Sequence, residues 1–182
     1  IMPFPVLYLL SDLTAFVLHR VIGYRKGVIL ENIDKSFTDW SASKKAKLVR
    51  DFYTHLADIL LEGIKGYSMS KAQLNRRFRY LNPEILQENF DQGKHVFLMP
   101  AHYGNWEWAV LTLPIPLLHQ VLGVYKPLRA ALIEEFVGRR RSRFGLQLIP
   151  IKETRTAMNN PPELPAVYIM MSDQHPSSRK KA

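Results

Sequence analysis

The chain has 182 residues, 47% hydrophobic and 23% charged, a balance that suits one folded domain with a sizeable core and excludes a disordered or fibrous chain. Its 25 basic side chains outnumber 16 acidic ones for a net charge of +9, so an acidic partner is expected: nucleic acid, an anionic membrane surface, or an acidic protein or phosphorylated substrate. The lack of cysteine excludes disulfides, thiolate metal ligands and a cysteine nucleophile.

The chain opens at Ile1 and stops at Ser178-Arg179-Lys180-Lys181-Ala182, just after a loop-like Asp173-Gln174-His175-Pro176, and both ends read as the edges of a segment. Residues 3–22 form an apolar stretch of nearly membrane-spanning length, interrupted by Asp12, His19 and Arg20. Tyr8, Ser11, Asp12, Ala15 and His19 recur on one helical stripe, and leucines, valines and Phe16 cover the rest. The pattern fits a helix lying at or partly in a membrane, the last part of an anchor, or an amphipathic core helix. Gly23 ends it, and Tyr24-Arg25-Lys26 puts positive charge at headgroup level.

From Ser41 to Gly66 the periodicity predicts a long amphipathic helix capped by Ser41 or Ser43. Val49, Phe52, Tyr53, Leu56, Ile59, Leu60 and Ile64 make its apolar face, while Asp58, Glu62 and Lys65 read as solvated charges on the other. Asn82-Pro83 to Gly93 reads as a further helix, with Asn82 as N-cap and Pro83 at the first helical position.

An apolar run, Val96 to Met99, then ends in Pro100-Ala101-His102-Tyr103-Gly104-Asn105-Trp106-Glu107. This predicts a strand that delivers His102 to a loop, and a helix starting near Asn105. A five-residue step turns about 500° on a continuous helix and would point His102 and Glu107 about 140° apart, so the two meet only if His102 precedes the helix. Glu107 would then lie in the first turns, where the dipole favours a carboxylate. An ionised glutamate on one ring nitrogen leaves the other free to take a proton, the arrangement of a general base and its orienter.

Further elements follow as strand 117–125, helix 128–144, strand 146–149, a short helix from Glu153, and strand 166–171 running into Asp173. Strands alternating with helices predict an α/β domain with a largely parallel or mixed sheet flanked by helices. Loops at the carboxyl ends of such strands form the site, so His102, Lys126 and Asp173 are expected on one edge. Between Lys126 and Arg143 six basic side chains face two glutamates, and guanidinium forks there suit phosphates or carboxylates. The same cluster also reads as a solvated basic helix end, and it lacks the interleaved aromatics of a nucleic-acid patch. No phosphate-cradling glycine loop, GxSxG elbow or HExxH is present, so no metal site is expected and the histidine has to act on a substrate's own nucleophile.

His102-Tyr103-Gly104-Asn105-Trp106-Glu107 resembles the HFGNWE motif of the bacterial lipid A biosynthesis acyltransferases, the late (secondary) enzymes of the HX4D/E membrane acyltransferase superfamily. Tyr24-Arg25-Lys26-Gly27-Val28 with Glu31-Asn32-Ile33 and Ser36-Phe37 resembles the family's YRxxV…NLxxxFP segment, and Phe52-Tyr53 through Asp58 and Glu62 its FYxxxxD…E helix. Val124-Tyr125-Lys126-Pro127-Leu128 is similar to VYRPL, Arg141 to Gly145 to RxRxG, and Asp173-Gln174 to its DQ. The resemblance covers essentially all 182 residues as one acyltransferase domain of the glycerol-3-phosphate acyltransferase-like fold, with residues 3–22 as a membrane-associated helix. Members run longer than this chain, so the domain is expected to be incomplete at its C-terminal side.

The resemblance implies transfer of a fatty acyl chain from the thioester of acyl carrier protein to a hydroxyl of a lipid acceptor, at the cytoplasmic face of a bacterial inner membrane. It implies His102 and Glu107 as the catalytic pair, and Asn105, Lys126, Arg139, Arg141, Arg143 and Asp173 as substrate-binding residues. No cofactor, metal or nucleic acid is implied, and an anionic membrane surface is. A lysophospholipid or amino-lipid acceptor, or a catalytically idle membrane-binding module, are the other readings. Lys126 stands where many members carry Arg, which keeps the charge and loses the bidentate fork.

Overall fold

The computed structural model describes residues 2–174; Ile1 and the terminal stretch with His175-Pro176 and Ser178–Ala182 lie outside the described residues. The chain divides into two compact units, Ile1–Ser68 and Met69–Ala182.

The first unit is helical. Helix α1 (Phe4–Phe16) continues as a wider π-helical turn, Val17–Ile22, which ends at Gly23 in the left-handed conformation, φ 64°. Two further helices follow, α2 (Lys26–Ser36) and α3 (Ala42–Gly66), and α3 is capped as expected by Ser41, whose hydroxyl accepts from the Lys44 N–H. Ser11 and Ala15 on the predicted stripe of α1 are buried together with Leu7, and α1 packs along α3. Leu9, Leu13 and Phe16 stay exposed on its outer side.

The predicted faces of α3 need correction. Asp58 accepts from the Ser11 hydroxyl at 2.5 Å and Glu62 from the Tyr8 hydroxyl at 2.6 Å, while the Lys65 ammonium donates to the Met2 carbonyl at 2.8 Å. These charges turn toward α1 and the residues before it and are at most partly solvated, whereas Leu60 and Ile64 are exposed. The buried stripe is Val49, Tyr53, Ala57, Gly63, narrower than the apolar face and turned from it. Polar groups on α1 decide this: each offers a hydroxyl to a carboxylate, a charge-assisted bond stronger than a neutral one.

The second unit is an α/β layer. After α4 (Lys71–Arg77) and α5 (Glu84–Asp91), strands β1 (Val96–Leu98), β2 (Gln120–Tyr125), β3 (Leu146–Pro150) and β4 (Ala166–Ile169) form a sheet of order β1-β4-β2-β3, parallel throughout. Helices α6 (Trp106–Thr112), α7 (Ala131–Ser142) and α8 (Thr154–Asn159) make the connections. The expected fold is therefore present, in its parallel form. All four residues of β4 are buried, as a strand with neighbours on both sides and cover on both faces requires. One face of the sheet contributes Val121, Leu146, Val167 and Ile169 to a core closed by Leu113, and the other contributes Leu122, Ile149 and Tyr168. Burying each such aliphatic side chain contributes about 1.5–3 kcal/mol.

Candidate active site

The register of β1 against β4 builds the site. Val96 pairs with Val167, Phe97 with Tyr168 and Leu98 with Ile169, a constant offset. Hydrogen bonding continues beyond both strands, with the Met170 N–H on the Leu98 carbonyl at 2.9 Å and the Ser172 N–H on the Pro100 carbonyl at 3.1 Å. Carried forward, the same offset sets Asp173 opposite His102.

There the Asp173 Oδ2 accepts from the His102 backbone N–H at 3.0 Å, and Oδ1 lies 2.7 Å from ring Nδ1. An ionised carboxylate can only accept, so Nδ1 carries a proton, and in the neutral ring Nε2 is the nitrogen left with a lone pair. The ring hydrogen bond, with the backbone one behind it, holds the Asp173 carboxyl below its ordinary range and so keeps it ionised. His102 and Asp173 are about one-third exposed, at 28% and 34%, so the ring is held and still open to a substrate. The Trp106 ring meets the imidazole edge-on, with centroids 4.8 Å apart.

Gly104, with φ 55°, turns the chain between His102 and α6, a conformation glycine adopts without strain. Asn105 caps α6 by accepting the Trp108 N–H at 3.2 Å, and Glu107 falls in the first turn as expected. Its side chain goes elsewhere than expected. Arg141, near the end of α7, approaches Glu107 with two nitrogens, Nε at 3.2 Å from Oε2 and a terminal nitrogen on Oε1. A planar fork donating two charge-assisted bonds outcompetes one imidazole N–H for a carboxylate. The anticipated hydrogen bond from the His102 ring to Glu107 is thus replaced by two pairs, His102 with Asp173 and Glu107 with Arg141. The second pair is the more buried, at 16% and 21% exposure.

Among the other basic residues, Lys126 is exposed on the loop after β2, the strand next to β4. Glu134 pins that loop, accepting from the Tyr125 hydroxyl at 2.5 Å and the Leu128 N–H at 2.8 Å. The contact pushes the Tyr125 phenol up to about 12, chiefly through the hydrogen bond to Glu134. The anchoring role of Glu134 was not foreseen; its place four residues before the glycine of α7 carries no sequence signal for it. Arg139 turns to Glu135 one turn back on its own helix, at 3.0 Å, and Arg143 stacks on Phe144 at 4.4 Å. Arg141 is the arginine whose side chain pairs with the motif's glutamate.

Beside the histidine loop lies an apolar cavity of about 270 Å³, lined by Leu98, Met99, Pro100, Val110, Leu113 and Ile169. A second, of about 370 Å³, shares Tyr80, Leu98 and Leu113 with it and extends to Ile85, Leu86 and Leu117. Tyr80 donates its hydroxyl to the Ala109 carbonyl of α6, and burial pushes its phenol up to about 12. The arrangement joins a proton acceptor, an anchored carboxylate and an apolar recess. Among the described residues no group of histidine and acidic side chains has the geometry to hold a metal ion.

A family model described as bacterial lipid A biosynthesis acyltransferase matches residues 1–179, nearly the whole chain. Compared with the curated proteins, the chain has no match.

Proposed function

From the premise that the chain belongs to the bacterial lipid A biosynthesis acyltransferase family, and is an acyltransferase, we propose that it moves a fatty acyl chain from acyl carrier protein to a hydroxyl of its lipid acceptor, with His102 as general base. The observation that carries this reading is the Nδ1 contact of His102 with Asp173 beside the apolar recess. Nε2 takes the proton of the acceptor hydroxyl, and the oxygen attacks the thioester carbonyl. The tetrahedral oxyanion is met by backbone N–H groups between Gly104 and Trp106. Its collapse breaks the carbon–sulfur bond, and the imidazolium returns the proton to the departing thiolate.

Asp173 holds the tautomer, and Glu107 acts as a positioning residue, tying α6 to Arg141 so that the loop bearing His102 keeps its place. The acyl chain lies along the recess by Met99, Val110 and Leu113. Lys126, Arg139 and Arg143 offer positive charge to acceptor phosphate or to the acidic carrier protein, and Asn105 shapes the helix start on which the acceptor rests. The reaction takes place at the cytoplasmic face of the inner membrane, where Phe4–Ile22, long and apolar enough to span a bilayer, meets lipid.

The test is a transfer assay on the full-length protein with acyl carrier protein and coenzyme A donors and a panel of acceptors: a phosphorylated glycolipid, a lysophospholipid and an amino-lipid. Transfer from the carrier protein to the glycolipid hydroxyl is expected. Transfer to the lysophospholipid or amino-lipid alone would replace the acceptor, and transfer from coenzyme A alone would replace the donor.

A further inference from the structure

The site residues named above all belong to the second unit, and the motif that starts at Tyr24 forms a feature of its own in the first. Between α2 and α3 lies a groove of about 600 Å³, within the range of about 300–1,000 Å³ typical of ligand pockets. Its apolar lining includes Val28 and Ile33 from α2 and Phe52 and Leu56 from α3. Arg25 also lines it.

Arg25 is unusual twice over. With φ 52° it is the one non-glycine residue at positive φ among those described, in a conformation that crowds Cβ against the backbone. Glycine would sit there without cost, so the arginine is held for its side chain. The backbone is fixed from outside, since the Tyr53 hydroxyl donates to the neighbouring Tyr24 carbonyl at 2.9 Å. Among the described residues the Arg25 guanidinium has no ion pair or hydrogen-bond partner. Lys26 adds a second exposed cation beside it. Immediately before this turn, Val21 and Ile22 are exposed at the end of the apolar helix.

An apolar groove with unspent positive charge fits a molecule with an apolar chain and an anionic head. We propose that the α2–α3 groove binds one acyl chain of a membrane-resident anionic glycerophospholipid, with its phosphate on Arg25 and Lys26. This lipid is a structural ligand of the first unit, separate from either substrate, and the inference holds whichever acceptor the second unit uses.

The test is photocrosslinking in vesicles. Phosphatidylglycerol or phosphatidylcholine carrying a diazirine within one chain is incorporated at trace level, and adducts on the full chain are mapped by peptide mass spectrometry. The expected adducts fall on α2 and α3 near Val28 and Phe52, with several-fold higher yield for phosphatidylglycerol. Arg25→Gly relieves the backbone, so it should fold at least as stably by thermal melting and yet lose that preference. Val28→Trp, at a half-exposed position, should lower the yield by occupying the groove. Equal yields from the two lipids, adducts confined to α1 or the second unit, or an unchanged preference in Arg25→Gly would each overturn the proposal. Chain-to-chain crosslinks through the groove would assign it to a second copy and overturn it as well.

Discussion

Asp173 meets His102 with both carboxylate oxygens, one on the ring at 2.7 Å and one on the backbone N–H at 3.0 Å, although 71 positions separate them. The contact is the continuation of a strand register, because the pairing that sets Leu98 opposite Ile169 sets these two residues opposite each other. An imidazole held this way has a defined tautomer before any substrate arrives. Asp173→Asn keeps the size and one acceptor but offers an N–H to Nδ1, which favours the wrong tautomer. Turnover is expected to fall by about 10²–10⁴-fold, with melting temperature little changed because the pair is partly exposed. Parallel kinetics and thermal melts check it; unchanged turnover would remove Asp173 from the mechanism.

Glu107 and Arg141 form the half-buried bridge between α6 and α7. A double-mutant cycle with Glu107→Gln and Arg141→Met, read by chemical denaturation, is expected to give a coupling of about 1.5–3 kcal/mol, the range of hydrogen bonds to charged groups. Either single variant should also lower turnover, through movement of the loop that carries His102. Coupling near zero would make the bridge incidental.

The loop bearing Lys126 depends on Glu134 in the same way. Glu134→Gln weakens the hold on the Tyr125 hydroxyl, so the Tyr125 phenol should drop from about 12 toward the ordinary value of about 10. Ultraviolet titration of tyrosinate, as a difference between variant and parent, measures it. If Lys126 contacts substrate, KM should rise more than kcat falls.

His119 supplies a pH dependence of stability. It is 5% exposed, packs edge-on to Phe90 at 5.1 Å, and burial lowers its pKa below the usual imidazole value. The fold favours the neutral ring, and the group protonates more readily once unfolded. Its contribution is therefore fully present above about pH 6.5 and is lost as pH falls from there through its folded pKa. Asp173, with a lowered carboxyl, loses its contribution only in the more acidic range below the ordinary carboxylate value. Melting temperature should be flat from pH 8 to 7 and decline below about 6.5, and His119→Leu should flatten that decline. A parent protein equally stable at pH 7 and pH 5.5 would contradict the assignment.

Much of the fold was legible because it is written locally. Alternation of apolar runs with helical periodicity marks the four strands among the described residues within a few positions, and of the two candidate caps of the long helix Ser41 is the one used. Helix α2 shows no clear period in the sequence because Gly27 breaks its pattern, and α4 shows none because its seven residues are too few. The faces of α3 differ from those its periodicity suggests because a helical wheel assigns charge to water, whereas Asp58 and Glu62 are satisfied by hydroxyls of α1.

The site shows the same division. His102 before the helix, a helix start near Asn105 and Glu107 in the first turn follow from adjacent residues, and the cap that Asn105 supplies is seen only in the fold. The partners were not, because they depend on strand order. The last strand inserts between β1 and β2, and only that insertion brings Asp173 to His102. Spacing along the chain suggested Glu107 for the ring, and it carried no sign that Arg141 would return to claim it.

The central claim is that Nε2 of His102 removes the acceptor proton. It is tested most directly by purifying the full-length protein and its His102→Ala variant side by side and measuring acyl transfer from labelled acyl carrier protein to the glycolipid acceptor. Transfer is expected to fall by about 10²–10⁴-fold, while melting temperature and vesicle binding are unchanged. Normal transfer by the folded variant would contradict it.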